Sequence, residues 1–331
     1  MSKPLRPDVP LHPVMEEFLG FLELRGKAQT ARTTTQALRQ FLGWTNHHGI
    51  DPMTVTAPQG ADFLAYLATE YRSPNGALLA RTTLSTRLAG VKSWYAWLAI
   101  RNRILTDPLR RLRVHVPRSR VVVKEHLTLQ EATALVQTAA GIVATGGTGP
   151  HHRAVALRNL ALVCIAIASG RRIGGLCTLK AEHIDLDRGE IRVEHEKGHV
   201  GRVLPLAGWA VAVVKRYLDD ARPLLVAEQA PWLFLDAHGT ASITQKGLRW
   251  ILSVLIERTI RDNPDLSELP AKRVCWHSLR VTNAVLLFAN GCDIRSVNEL
   301  LLHRSLSTTA RYTPIDVEDL RQILHTAHPR A

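Results

Sequence analysis

Cysteine is scarce in this 331-residue sequence. There are four, at 164, 177, 275 and 292, and no two form a C-x-x-C pair. That spacing suits neither a zinc knuckle nor a dithiol redox motif, and it leads us to expect four buried, reduced thiols in a cytoplasmic protein. Long apolar runs are missing too. The longest, "LALVCIAIA" at 160–168, has nine residues and is too short for a bilayer, so it reads as a core helix. The opening "MSKPLRPDVP" is polar and proline-rich, unlike a secretory signal, and no membrane partner is expected. Acidic residues are outnumbered: 29 Asp+Glu face 42 Lys+Arg, a net charge of +13. With 46% apolar residues the chain is a folded one, and the charge calls for a polyanion, most simply nucleic acid. A basic membrane-surface protein competes on charge alone, but no basic amphipathic terminus supports it.

The length implies about two domains. Residues 1–123 carry 17 Lys+Arg against 8 Asp+Glu, and the remainder 25 against 21, so the first part is the stronger electrostatic clamp. Apolar residues recur at helical spacing in four stretches: Val14, Phe18, Phe21 and Leu22; Leu38, Phe41 and Leu42; Phe63, Leu64 and Leu67; Leu84, Leu88, Val91, Tyr95 and Leu98. Turn signals "HHGIDP" and "RSPNG" separate them. The segment 101–120 holds seven arginines, one acid and two prolines without a clear period, which predicts an extended basic stretch. Arg101, Arg103, Arg110, Arg111, Arg113, Arg118 and Arg120 are its candidate phosphate-backbone contacts, the bland alternative being a solvated surface.

The second part restarts at "LTLQEA", where Thr128 and Glu131 have capping-box spacing. "GIVATGGTGP" at 141–150 lacks the G-K-[ST] ending of a phosphate-binding loop and reads as a flexible connection. Around 189–206, Ile191 and Val193 alternate, a turn follows near Lys197-Gly198, and Val203-Leu204 resume the strand pattern. Helices are predicted around 208–221, 243–261, 277–290 and 293–302, with Gly291 suited to a C-cap. The predicted fold is mainly α: an all-helical N-terminal domain (1–113), a basic linker (114–126) and a mostly helical second domain (127–331) with a small antiparallel sheet.

Four segments stand out chemically. In "SGRRIGGL", Arg171 and Arg172 interrupt apolar sequence; an arginine held there needs an anion, either an internal carboxylate or a ligand. Lys197 sits in the turn of "HEKGHVGR", where a solvated lysine is the ordinary reading. In "CWHSLRVTNAVLLF", His277 and Arg280 lie three apart at a helix start and share a face. In "LLHRSLSTTARY", Tyr312 follows His303 by nine residues, and alone it would be a core tyrosine. Together they form the set needed to transfer a phosphodiester to a tyrosine. Arginine forks bind phosphate oxygens and stabilise transition-state charge. A tyrosine hydroxyl, with a pKa of about 10, needs a histidine to accept its proton, and a lysine beside other cations can protonate the leaving oxygen.

In this order the motifs resemble the tyrosine recombinases, the phage-integrase family. The pattern is an arginine after a short T/S-G-x-R turn, a hairpin lysine, H-x-x-R, then L-G-H-x-S and a tyrosine nine residues past its histidine. "ASGRRIGGL", "EKGHVGRVLPL", "HSLR" and "LLHRSLSTTARY" supply these, and the closing "HTAHPRA" looks like bacterial Xer chain ends. The resemblance implies a helical core-binding domain followed by the catalytic domain. It also implies site-specific recombination through a 3′-phosphotyrosine link, on double-stranded DNA. It assigns the scissile phosphate to Arg172 and Arg280, the general acid to Lys197, the general base to His277, a phosphate hydrogen bond to His303 and attack to Tyr312. No cofactor and no metal are implied. The stripe Val317, Leu320 and Leu324 after Tyr312 implies docking on a neighbour in a DNA-bound tetramer, homo- or heteromeric.

Two positions depart from the family. The acid usual three residues after the first arginine, which orients the second histidine or the first arginine, is Gly175; the resemblance then implies either slower chemistry or a shift of the task to Glu182. The glycine usual before the second histidine is Leu302. A type IB topoisomerase and an accessory DNA-binding protein with weakened catalysis are the competing readings. Within recombination, chromosome dimer resolution and the integration or excision of a mobile element are both open.

Overall fold

The computed structural model describes residues 10–115, 125–145, 149–194, 201–227 and 230–302. The chain divides into two compact units, Met1–Ser119 and Arg120–Ala331.

Among the described residues the first unit contains four helices, α1 (Pro13–Leu24), α2 (Ala28–His47), α3 (Ala57–Thr69) and α4 (Arg81–Ile100). Their apolar stripes meet in one core, where Met15, Phe18, Leu38, Phe41, Phe63, Leu67, Trp94 and Tyr95 are all but inaccessible. Phe41 is the hub, with ring centroids 5.0 Å from Phe63 and 5.9 Å from Tyr95, both edge-on. Thr56 caps α3: its backbone N–H donates to Gln59 Oε1 at 2.8 Å, the reciprocal bond of a capping box.

The described part of the arginine-rich segment is not the extended stretch expected. Leu109 is fully buried, and Ile104, Leu112 and Val114 pack beside it on the same core. Leu109 fits because Gly60 has no side chain there; a Cβ on Gly60 would collide with the Leu109 methyl. Lys92 Nζ donates to the Arg110 and Leu112 carbonyls at 3.1 and 2.9 Å, which fixes the turns. The apolar residues at 104, 109, 112 and 114 outweigh the prolines. Burying one leucine is worth about 1.5–3 kcal/mol.

The second unit contains α5 (Leu129–Thr145), α6 (Pro150–Ser169), α7 (Ile173–Cys177), α8 (Gly208–Arg216), α9 (Arg222–Leu225), α10 (Gln245–Asp262), α11 (Trp276–Ala289) and α12 (Ile294–Leu300). Strands β1 (Ile184–Asp185), β2 (Glu190–Val193) and β3 (Arg202–Pro205) form an antiparallel sheet in the order β1-β2-β3, with Ile191 opposite Leu204 and Val193 opposite Arg202. The mainly helical fold with a small antiparallel sheet is thus present, β1 being the addition. Helix α5 runs on through Thr145 where a loop was expected from 141. Val143 continues the buried row of Leu135 and Ala139, and Gly141 faces open space, so nothing stops the helix there.

Helix α6 is the central column. It is long and apolar enough to cross a membrane by length and composition alone, but 72% of that window is buried inside this unit. The four cysteines are free thiols, yet only Cys164 is buried; Cys177 and Cys292 are half-buried and Cys275 is exposed. Cys275 sits at the N-cap of α11, outside the packed face of that helix, which is why the expectation of four buried thiols fails there. Burial pushes the Cys164 thiol up to about 12 and Cys177 up to about 11, the latter opposed by Arg249.

The capping box at Thr128 and Glu131 is present, with bonds of 2.7 and 3.1 Å. Glu131, 3% exposed, also accepts two bonds from Lys272 Nζ at 2.8 and 2.7 Å, and Leu127 N–H donates to Thr282 Oγ1 at 2.9 Å. These contacts tie the start of α5 to the approach and body of α11. Removing one partner strands a buried charge, at a cost of about 3–5 kcal/mol. Lys272→Met is therefore expected to destabilise this unit by that amount in urea unfolding. The double variant with Glu131→Gln is expected to recover part of the loss, and equal stabilities for single variant and wild type would contradict the pairing.

Candidate active site

The site grows from the C-terminal end of α6. Gly170 follows it in the left-handed region, φ 58°, as helix C-cap. A Cβ on Gly170 would overlap Leu301 and crowd Asn283, so the glycine serves both the turn and a close approach by α11 and the residues after α12. Arg171 and Arg172 come next. Arg171 is 5% exposed, whereas Arg172 is half-buried and is the N-cap residue of α7.

Helix α11 brings the H-x-x-R pair. Its start is pinned by Trp276 Nε1, which donates to the Leu248 carbonyl of α10 at 2.7 Å. His277 lies on the exposed first turn and Arg280 is 2% exposed, so the pair shares a face by spacing but not an environment. The Arg280 guanidinium spans two segments. Nη1 donates to the Gly170 carbonyl at 2.7 Å and Nη2 to the Leu301 carbonyl. Gly170 stands two residues before Arg172, and Leu301 two before His303. Asn283, one turn further along α11, donates through Nδ2 to the Ile167 and Ala168 carbonyls at 2.7 and 3.2 Å. Both groups satisfy carbonyls at the end of α6 that the helix itself leaves without partners.

The third segment reaches the site through α12. Asp293 caps it, accepting from the backbone N–H groups of Arg295 and Ser296 at 2.8 and 3.0 Å. After the C-cap Leu301, Leu302 adopts φ 51°, the left-handed conformation usual for a glycine at this place. The leucine is 3% exposed and belongs to the unit's core. The chain therefore keeps the glycine-type backbone and adds a buried side chain. The left-handed conformation costs roughly 1–2 kcal/mol, offset by about 1.5–3 kcal/mol of burial.

Of the expected catalytic set, Arg172, His277 and Arg280 lie among the described residues. Lys197, His303 and Tyr312 lie outside them, as do Arg304, Arg311, Val317, Leu320, Leu324, Arg118 and Arg120. The strands that lead into and out of the lysine segment are paired as expected, with Val193 opposite Arg202.

Beside α7 lies a cavity of about 520 Å³, bordered by Arg171, Gly175, His183, Arg192, Glu194 and Arg202 among others. The lining includes Glu194 and not Glu182, the substitute acid suggested by the sequence. Glu182 instead lies 3.3 Å from Lys180 Nζ on the exposed side. His183 is 3% exposed, and its Nε2 is 3.2 Å from Glu194 Oε1, off the line of a well-aligned hydrogen bond. Its Nδ1 accepts from the Lys180 backbone N–H at 3.3 Å, which leaves the ring proton on Nε2, facing the carboxylate. Glu194 titrates below the usual carboxylate range. Desolvation opposes this, and His183, Lys180 and Arg192 outweigh it. Glu182, His183 and Glu194 bring three ligand-type atoms within 4.8 Å of one another, but the Lys180 amino group already shares both carboxylates, at 3.3 and 3.9 Å.

Sequence reasoning overlooked Gly170, Asn283, His183 and Glu194. Asn283 had a signal, a polar residue three past Arg280 in an apolar helix. Gly170 had one too, a glycine closing an apolar helix. His183 and Glu194 had none, since their partnership depends on how β2 lies against the turn at 180–183.

Residues 125–319 match the Phage integrase family. The chain belongs to the phage integrase family of tyrosine recombinases. A Tyrosine recombinase XerC of Mycobacterium leprae (strain TN) is 32% identical over 321 residues, covering 96% of this chain and 99% of that one. One of Bacillus pumilus (strain SAFR-032) is 29% identical over 323 residues, covering 95% of each. The crystal structure of XerH site-specific recombinase bound to palindromic difH substrate, a post-cleavage complex, shares the fold with TM-score 0.66 at 20% identity, over 94% of this chain and 83% of that one. The enzyme class expected from the motifs, a tyrosine site-specific recombinase, holds for this chain.

Leu302→Gly isolates the departure from the family's glycine. It relieves strain while removing buried apolar surface, so it is expected to cost less than Leu162→Ala, a substitution at a fully buried leucine in an ordinary helix. Such leucine truncations cost about 2–5 kcal/mol. Urea unfolding of both variants checks this, and a larger loss for Leu302→Gly would contradict the strain at 302.

Proposed function

We propose that the chain cuts and rejoins double-stranded DNA at a specific site through a 3′-phosphotyrosine intermediate. Tyr312 attacks the scissile phosphate, His277 accepts its proton, and Arg172 and Arg280 hold the non-bridging oxygens. His303 adds a hydrogen bond to the phosphate, and Lys197 protonates the departing 5′ oxygen. The phosphotyrosine ester conserves the energy of the broken bond, so the reaction calls for no nucleotide cofactor. The observation that carries this reading is the Arg280 guanidinium, bonded at once to Gly170 and Leu301. It draws the Arg172 turn, the H-x-x-R helix and the residues before His303 to one place.

The N-terminal domain, residues 1–113, is the DNA clamp, joined through a linker at 114–126 to the catalytic domain at 127–331. Arg101, Arg103, Arg110, Arg111, Arg113, Arg118 and Arg120 are its proposed backbone contacts. Arg103 is partly engaged by Glu17 at 2.7 Å and both Arg101 and Arg103 lie over the Trp97 ring, so Arg110 and Arg111 are the better placed of the described ones. The apolar stripe after Tyr312 docks on a neighbouring copy or paralogue in a tetramer. An apolar groove of about 550 Å³ lined by Leu129, Val136, Ile167, Trp209, Leu286 and Leu287 supports such a docking face. Similarity to XerC proteins over nearly the whole chain favours chromosome dimer resolution in the cytoplasm over service to a mobile element.

Nicked suicide duplexes carrying the cognate site test the chemistry. A covalent adduct is expected with wild type and none with Tyr312→Phe, and an adduct that survives that substitution would sink the nucleophile assignment. Exchange between two sites, rather than relaxation alone, separates recombination from topoisomerase action. DNA affinity is expected to fall steeply with salt. Arg110→Ala together with Arg111→Ala should flatten the log–log slope by up to about 0.9 per lost phosphate contact, and an unchanged slope would remove these two residues from the interface.

A further inference from the structure

A buried amide stands in the body of α11, outside the proposed catalytic set. Asn283 is 8% exposed, and an amide taken out of water is costly unless it is hydrogen-bonded. Its Nδ2 finds the Ile167 and Ala168 carbonyls, at 2.7 and 3.2 Å. Its Oδ1 is turned toward Gly170, 2.9 Å from where a Cβ on that residue would stand. The amide therefore lies along the exit from α6.

That exit is the path to Arg172. The Gly170 N–H makes the last bond within α6, to the Ala166 carbonyl at 3.0 Å. Beyond it the carbonyls have no partner in the helix itself. Those of Ile167 and Ala168 take Asn283, and that of Gly170 takes Arg280 at 2.7 Å. Arg172, the N-cap residue of α7, accepts from the Leu176 N–H at 3.1 Å. Packing alone does not brace this stretch. The apolar groove of about 550 Å³ borders Ile167 and Ala168, a second cavity of about 250 Å³ borders Ala168 and Ser169, and Asn283 lines both. Where neighbouring atoms are missing, contact attraction is lost and the hydrogen bonds set the direction of the chain.

We propose that Asn283 is a positioning residue for Arg172. By holding the last carbonyls of α6 it fixes how the chain leaves that helix, and hence where the Arg172 guanidinium meets the scissile phosphate. This rests on the reading of Arg172 as a ligand of that phosphate. In the cleavage step the Tyr312 oxygen bonds to phosphorus and the bond from phosphorus to the 5′ oxygen breaks. Asn283 touches none of these atoms. It acts only through the charge on the non-bridging oxygens, which Arg172 neutralises.

That charge separates positioning from general stability. A suicide duplex with a methylphosphonate at the scissile position has a methyl group in place of one non-bridging oxygen and carries no charge there. Cleavage is measured in single turnover with enzyme in excess, so that DNA affinity drops out, and each variant is compared with wild type on the same substrate. On the charged substrate, Asn283→Leu, similar in size but without N–H groups, is expected to be about 10–100-fold slower, the scale of a small misplacement of a reacting group. On the neutral substrate it should match wild type, as Arg172→Ala should. Asn283→Asp turns an oxygen toward the two carbonyls and should be at least as slow as Asn283→Leu on the charged substrate. Asn283→Gln keeps the amide on a longer arm and should fall between Asn283→Leu and wild type there, and match wild type on the neutral substrate. Leu135→Ala, which opens the core at a fully buried residue of α5, should show one ratio to wild type on both substrates.

Asn283→Leu slow on both substrates alike, or normal on both, overturns the proposal. So does wild-type cleavage of the charged substrate by Asn283→Asp, or the same substrate contrast in Leu135→Ala. Urea unfolding checks that each variant folds, and if Asn283→Leu does not, the contrast is read from Asn283→Gln with the same criteria. If Arg172→Ala is equally slow on both substrates, the phosphate assignment of Arg172 fails first and the positioning role falls with it. Tyr312→Phe, with no adduct expected on either substrate, checks the nucleophile independently.

Discussion

One buried guanidinium holds the catalytic unit's motif segments together. Arg280 places one N–H on the Gly170 carbonyl and another on the Leu301 carbonyl, at 2% exposure. Charge-assisted bonds of this kind are roughly twice as strong as neutral ones, and both acceptors lie at helix ends whose carbonyls would otherwise be orphaned. The same residue type that suits a phosphate therefore also suits the scaffold. Asn283 repeats the arrangement one turn on. Among the described residues, Arg280 and Asn283 are thus anchored on backbone carbonyls.

The two departures from the family pattern have different physical outcomes. At 302 the backbone conformation survives the change of residue. Leucine occupies a left-handed position, and its buried side chain offsets the strain. At 175 the side chain is gone, a cavity borders the glycine, and the carboxylate among its lining residues is that of Glu194, just after β2. The first is a local trade within one residue. The second removes a side chain from the wall of the cavity beside α7.

Much of the fold was legible in the sequence because helices declare themselves by period. The four N-terminal stripes, the Thr128–Glu131 box and the Gly291 turn depend on residues close in sequence, and each is present. The misses share a cause. The basic stretch at 101–113 packs because Leu109 finds Gly60, about fifty residues away, and the loop expected from 141 is helix because Val143 finds the core. Neither partner is visible in a local window. Cys275 is exposed for the same reason: a cap position faces outward whatever the residue's preference for the interior.

The order and spacing of Arg172, His277, Arg280, His303 and Tyr312, together with the excess of positive charge, were enough to point to the family the chain belongs to. Reacting groups must be of particular types, and their spacing in one family is a property of the chain. Which groups support them was decided only by tertiary structure. That Arg280 reaches Gly170 and Leu301, that His183 seats Glu194 rather than Glu182, and that Leu302 takes a glycine's conformation are matters of distance and direction. Such relations arise when segments distant in sequence pack together. A buried polar group must then find its partner wherever the fold places one.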